Sequence, residues 1–328
     1  MAKPRVGLLV KSSLRERILS DVDLEKLKSF AEVEINPTDE DFSEEEAAEF
    51  LAGKDGAFSS WRVSNLTPSI IERAPELQIW AYGAGSIKGK ICDEAWEKGV
   101  VVTSAAPAIA DDVAELAMGF ITIGLRRVVP YMREMRANEP ALKPKARSLF
   151  RRTVGVVSAS QVGQRVMRLL KPYNVRLLIY DPFLSEEGAK ELGGELADLE
   201  TIARECEVVT LHAPKLPETY HIWNEKHFKL MRDDAIYVNT SRGDNIDEAA
   251  LIAELQKGRL FAFLDVTSPE PPVAESPLRQ LSNVVLTPHV AGLQSYRVGE
   301  IAVEELRRCF AGEEQMFRVT RDMLDRLA

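Results

Sequence analysis

Three side chains with complementary chemistry follow successive apolar runs late in the chain. Arg242 comes after Tyr237-Val-Asn-Thr-Ser241, Glu270 after Leu264-Asp-Val-Thr-Ser-Pro269, and His289 after Leu286-Thr-Pro288. Arginine offers a rigid fork of donors that holds a carboxylate and polarises a neighbouring carbonyl. Histidine titrates near neutrality and exchanges a proton with an alcohol or ketone oxygen. A carboxylate on the other ring nitrogen orients the ring and favours its charged form. Beside a nicotinamide, this set suits hydride transfer on a 2-hydroxy or 2-oxo acid. Taken singly, each residue also fits a plainer role: a helix-entry arginine, a charge in a Pro-rich loop, a loop histidine. Their placement at successive strand ends favours chemistry, because open α/β sheets put their sites there.

A second motif supplies a place for the coenzyme. Thr153-Val-Gly-Val-Val-Ser158-Ala-Ser160-Gln-Val-Gly163 reads as strand, turn and helix, with the helix starting near Gln161. The dinucleotide fingerprint G-x-G-x-x-G becomes S-x-S-x-x-G here. Gly163 keeps the position where helix and strand pack closely. Ser158 replaces the turn glycine and Ser160 the glycine that admits phosphate. A serine hydroxyl can donate to phosphate or crowd it. Asp181 stands 18 residues beyond Gly163, at the end of the next apolar run. An acid there suits the ribose hydroxyls of NAD and repels the 2′-phosphate of NADP. The alternative is an ordinary solvated turn beside Pro182.

The elements that carry these residues form two series. The first holds strands at Arg5–Val10, Val33–Asn36, Gly56–Ser59, Leu77–Tyr82 and Val100–Thr103, with helices such as Ser43–Leu51 and Cys92–Lys98 between them. That alternation predicts a flavodoxin-like parallel sheet. A long helix follows over Ala110–Arg126, with Pro130 expected to kink or break it, and Ala137–Arg147 reads as a loop. The second series has six strands: Thr153–Val157, Val175–Tyr180, Val208–Leu211, Ala235–Asn239, Phe261–Asp265 and Val284–Thr287. This predicts a doubly wound dinucleotide fold. A last helix spans Ser295–Phe310, with Gly312 as its stop.

Composition excludes several classes. The chain has 328 residues, 45% of them hydrophobic, which suits about two globular domains. Fifty-one acidic against 42 basic residues give a net charge of −9, a poor match for nucleic acid or an anionic membrane. No apolar run reaches the roughly 18 residues of a membrane span. The opening VGLLV is too short for a secretory signal core. Cys92, Cys206 and Cys309 are odd in number and far apart, so neither a disulfide framework nor a metal site is expected. The expectation is a cytoplasmic protein.

Taken together, the motifs resemble the D-isomer-specific 2-hydroxyacid dehydrogenase family. The matching segments are Thr153–Gly163, Val208-Val-Thr-Leu-His212-Ala-Pro214, Val238-Asn-Thr-Ser-Arg242-Gly-Asp-Asn-Ile-Asp247, Leu264-Asp265-Val266 with Glu270-Pro271, and Leu286-Thr-Pro-His289-Val-Ala-Gly292. The resemblance implies an α/β protein of two Rossmann- or flavodoxin-like parallel-sheet domains. The coenzyme domain (105–292) is inserted into a discontinuous substrate domain (1–104 and 293–328), with the site in the cleft between them. It implies that His289 is the acid–base group, that Glu270 pairs with it, and that Arg242 holds the substrate. Asp265 would sit near the nicotinamide. Ser158, Ser160, Gln161, Val162, Gly163, Asp181, His212, Pro214 and Ser241 would line the NAD site. Gly83, Ala84 and Gly85 would offer backbone N–H groups to the substrate carboxylate. A homodimer through the coenzyme domain is implied, with the helix near Ala110–Arg126 as a candidate interface.

Departures limit the resemblance. Besides the two serines, the substrate loop continues Ser86-Ile-Lys88-Gly-Lys90 where the family has an Asp-Asn-type segment. This leaves the acid unnamed. Ala110 stands where the family has a threonine. Glu270 argues against the formate dehydrogenase branch, and the lack of a C-terminal extension against the long phosphoglycerate dehydrogenases. A non-catalytic regulatory protein on the same scaffold is the alternative, motivated by the altered glycine loop. A coenzyme-free flavodoxin-like module fits the N-terminal part alone.

Overall fold

The computed structural model describes residues 2–137, 145–292 and 295–324. The chain divides into two compact units, Met1–Ile109 with Gly292–Ala328, and Ala110–Ala291. The division falls within the helix Ala106–Leu125.

In the first unit the strands are β1 (Arg5–Leu8), β2 (Glu32–Ile35), β3 (Gly56–Ser60), β4 (Ile79–Gly83) and β5 (Val101–Ser104). They pair in parallel in the order β2-β1-β3-β4-β5. Every residue of β3 and β4 is buried, as expected of central strands covered on both faces. β2 reads EVEI and keeps its glutamates outward at the edge. The helix Tyr296–Phe310 returns to this unit from the far end of the sequence. A Cβ on Gly56 would lie 3.0 Å from Leu306, and one on Gly299 only 2.3 Å from the Ile18 carbonyl, so small residues let that helix pack closely. A further strand of two residues, Arg318–Val319, adds antiparallel to β5.

The second unit has β6 (Thr153–Val157), β7 (Arg176–Tyr180), β8 (Glu195–Leu196), β9 (Val208–Leu211), β10 (Ile236–Asn239), β11 (Phe261–Leu264) and β12 (Val284–Leu286). All are parallel, in the order β8-β7-β6-β9-β10-β11-β12. The order reverses between β6 and β9, so crossover helices leave in opposite directions and open a crevice at the strand ends. Trp223, Phe228 and Tyr237 fill the core on one face. Val154, Val156, Ile236 and Val238 fill the other, against Ala117, Phe120 and Ile121.

Three expectations change. The seventh strand, β8, is two exposed residues long and carries no periodic signal. The long helix begins at Ala106 and ends at Leu125, and a new helix runs over Val128–Ala137. Pro130 is not the breaker. The break falls at Arg127, whose φ is +54°, and Pro130 sits in the first turn of the next helix, where its missing N–H costs nothing. Of the expected loop at Ala137–Arg147, residues 138–144 lie outside the described residues, as do 293 and 294 at the start of the returning segment.

Candidate active site

His289 stands on a loop fixed from below by Asp265. Asp265 follows β11 directly and is 1% exposed. Its Oδ1 accepts from Thr287 Oγ1 (2.5 Å) and from the N–H of Val290 (2.9 Å), and its Oδ2 accepts from the N–H of Ala291 (2.9 Å). Its carbonyl takes the N–H of His289 at 3.0 Å. A buried carboxylate is tolerated because donors surround it. His289 adopts the left-handed region at φ +54°, which turns the chain sharply at that residue.

Glu270 arrives on the loop after β11. Its Oε1 lies 2.6 Å from His289 Nδ1. With Nδ1 carrying the proton, the ring donates to Glu270 and leaves Nε2 for a substrate. Side-chain exposures of 45% for His289 and 41% for Glu270 keep the pair reachable.

Arg242 follows β10 at a turn built by Asn239, which is fully buried. Asn239 Oδ1 accepts from the N–H and the hydroxyl of Ser241 (3.0 and 2.8 Å), and its amide donates to the Arg242 carbonyl at 3.0 Å. The Arg242 side chain is half-buried and donates through Nη1 to the Ser241 carbonyl at 2.7 Å. Among the described residues no hydrogen bond or ion pair joins it to Glu270 or His289. The next residue, Gly243, presses on the Glu270 loop: a Cβ there would lie 2.1 Å from the Thr267 carbonyl carbon and oxygen. Asp244 and Glu248 then hold Ser268, through its hydroxyl (2.5 Å) and its N–H (3.0 Å). The arginine turn and the glutamate loop are therefore braced on each other.

The coenzyme loop lies at the reversal of strand order. Ser160 caps the helix Gln161–Leu170. Gly163 is needed: a Cβ there would lie 2.1 Å from the Ser158 carbonyl. Gln161 is exposed, whereas Val162 is half-buried against the core. Asp181 Oδ2 accepts from the Ala159 N–H (2.8 Å) and the Ser158 hydroxyl (3.3 Å), and Oδ1 from the Phe183 N–H (2.9 Å). His212 is buried after β9, with Nε2 2.9 Å from Thr210 Oγ1 and Nδ1 unpartnered. Burial pulls its pKa down to about 3, so the ring is neutral at physiological pH. Pro214 is half-buried, and its carbonyl takes Thr219 Oγ1 at 2.6 Å. A helix start with free N–H groups, an acid at the end of β7 and an unpartnered imidazole nitrogen fit a dinucleotide.

Gly83, Ala84 and Gly85 belong to the first unit, at the end of β4. The Ser60 hydroxyl holds the Gly83 carbonyl at 2.5 Å. A Cβ on Gly83 would meet Phe58 at 2.5 Å.

Sequence reasoning missed the residues that act through others. Asn239 and Asp244 position the loops and Thr210 holds the His212 ring, while Asp265, expected near the nicotinamide, spends its carboxylate on the histidine loop. Asn239 and Asp244 sit inside the Val238–Asp247 motif around Arg242, the one signal that pointed to them. Among the described residues no cluster of three metal-ligating side chains occurs, and no helix is long and apolar enough to cross a membrane.

The family described as D-isomer specific 2-hydroxyacid dehydrogenase, NAD binding domain, matches residues 118–291. A glyoxylate reductase of Korarchaeum cryptofilum is 35% identical over 253 residues, 74% of this chain and 76% of that protein. A D-3-phosphoglycerate dehydrogenase of Methanocaldococcus jannaschii is 32% identical over 256 residues; the match spans 76% of this chain and 49% of that protein's length. A D-lactate dehydrogenase from Lactobacillus jensenii, solved with NAD+, shares the fold with a TM-score of 0.79 at 22% identity, covering 97% of this chain and all of that one.

Proposed function

Because the chain belongs to the D-isomer-specific 2-hydroxyacid dehydrogenase family, we propose that it reduces a small 2-oxo acid with NADH and oxidises the D-2-hydroxy acid in reverse. The contact of His289 with Glu270 at 2.6 Å carries this reading. In reduction, His289 Nε2 gives its proton to the carbonyl oxygen while Glu270 holds the Nδ1–H and balances the ring's charge. Arg242 binds the substrate carboxylate and polarises the carbonyl, and the Gly83-Ala84-Gly85 loop of the first unit offers backbone N–H groups suited to a carboxylate. NADH, when bound, supplies the hydride. The N-terminus of Gln161–Leu170, Asp181, His212, Pro214 and Ser241 would hold it.

The Asp181 carboxylate supports NADH over NADPH, since it would repel a 2′-phosphate. The glyoxylate reductase relative supports a short-chain acid. In this reading 1–104 with 293–328 is the substrate domain and 105–292 the coenzyme domain. The reading extends to a cytoplasmic homodimer through the coenzyme unit, supported by exposed Val128, Met132 and Met135 on one helix. An assembled His–Glu pair lends nothing to a non-catalytic role.

The test is a panel of 2-oxo acids with NADH and NADPH. Turnover of at least one short acid, faster with NADH and lost in Arg242→Ala, is expected. No turnover across the panel overturns the proposal.

A further inference from the structure

We propose that Ser158 and Ser160, which stand at the two glycine positions of the fingerprint, are latches that tie the coenzyme loop to the strand-end residues on either side of it. They would thereby act as positioning residues for the dinucleotide, an inference that rests on the coenzyme reading above.

β6 lies between β7 and β9, so its loop has a neighbour on each side. Ser158 Oγ donates to Asp181 Oδ2 at 3.3 Å, at the end of β7. Ser160 Oγ donates to the His212 carbonyl at 2.8 Å, at the end of β9. Each replacement reaches one side, and glycine can make neither bond.

The two latches differ in weight. Toward β7 the loop is also held by backbone groups: Ser158 N–H to the Tyr180 carbonyl (2.7 Å) and Ala159 N–H to Asp181 (2.8 Å). Toward β9 the backbone tie is His212 N–H to the Val157 carbonyl at 2.9 Å, before the loop begins. The Ser160 hydroxyl carries the connection onward to the helix start. It also accepts the Gly163 N–H at 3.3 Å, so its proton and a lone pair are both engaged. It gives no proton to phosphate unless it releases His212. It holds the crevice at a fixed width and lets the helix N–H groups meet the anion.

Ser158 stands at φ +82°, where a side chain is strained and glycine is at ease. Its bond to Asp181 offsets that strain and turns the carboxylate toward the loop.

The test is fluorescence titration of NADH into wild type, Ser160→Gly, Ser160→Thr and Ser158→Ala. One lost hydrogen bond raises Kd by about three- to tenfold in Ser160→Gly. Threonine keeps a capping hydroxyl and should bind within about twofold of wild type. Ser158→Ala keeps the strained φ without the bond and should also bind more weakly. KM for the 2-oxo acid at saturating NADH should not change, which a general loss of structure would not spare. If Ser160→Gly binds NADH as tightly as wild type or more tightly, the hydroxymethyl is an obstruction and the latch is wrong. If wild type binds no NADH, the coenzyme reading itself falls.

Discussion

Asp265 takes the backbone N–H of His289 on its carbonyl at 3.0 Å, and its carboxylate grips the two residues that follow. The histidine is thus aimed by a residue that makes no hydrogen bond to its ring. Asp265→Asn would turn one acceptor into a donor facing a buried N–H. We expect a loss of about 2–4 kcal/mol in unfolding free energy, read by denaturant titration. We also expect kcat to fall at least about tenfold, because a misplaced acid loses its alignment. Unchanged kcat in a folded Asp265→Asn protein would separate the clamp from catalysis.

Glu270 and His289 are both reachable by solvent, so removing the charge should leave the fold intact. Glu270→Gln should lower kcat by about a hundredfold, the scale of a lost acid–base partner. NADH affinity should stay near wild type, since among the described residues no hydrogen bond joins the pair to the phosphate loop. Steady-state rates beside a coenzyme titration check both halves.

Gly243 is where the arginine turn touches the glutamate loop. A methyl group 2.1 Å from the Thr267 backbone has nowhere to go. Gly243→Ala should destabilise by about 1–3 kcal/mol, as overpacking does, and depress kcat by displacing both loops. Thermal melting and turnover measured together should both fall. A variant with wild-type melting and rate would mean the loops move freely.

His212 gives a pH signature. Its folded pKa, about 3, lies below the unfolded 6.5 because the ring is buried. The unfolded chain therefore binds a proton first as pH falls. This group's contribution is full above pH 6.5 and drains away as pH drops toward 3. By pH 5 wild type should lose about 2 kcal/mol relative to pH 7 from this residue alone. His212→Gln should lack that component, so the two stability–pH curves converge in acid. Parallel curves would mean the histidine is not buried neutral.

Much of this was legible in the sequence because strand ends carry it. The runs before Arg242, Glu270 and His289 are apolar enough to be read as strands, and the residues after them are of types that can hold an acid, orient an imidazole and exchange a proton. What stayed hidden was what side chains do with their hydrogen bonds. Asp265 has the same letters whether it faces a nicotinamide or grips a loop, and Ser160 whether it donates to a phosphate or to His212. Pro130 misled because proline breaks a helix interior yet suits a first turn, and only the backbone at Arg127 tells which applies. The strands Glu195–Leu196 and Arg318–Val319 are two residues each, too short for any alternation to show.

The most direct test of the proposed D-2-hydroxy acid chemistry is chiral analysis of the product when the purified protein reduces pyruvate or hydroxypyruvate with NADH, run beside His289→Asn. We expect one D-2-hydroxy acid formed per NADH consumed in wild type, and loss of that turnover in the variant with NADH still bound. An L product, or equal turnover by His289→Asn, would contradict it.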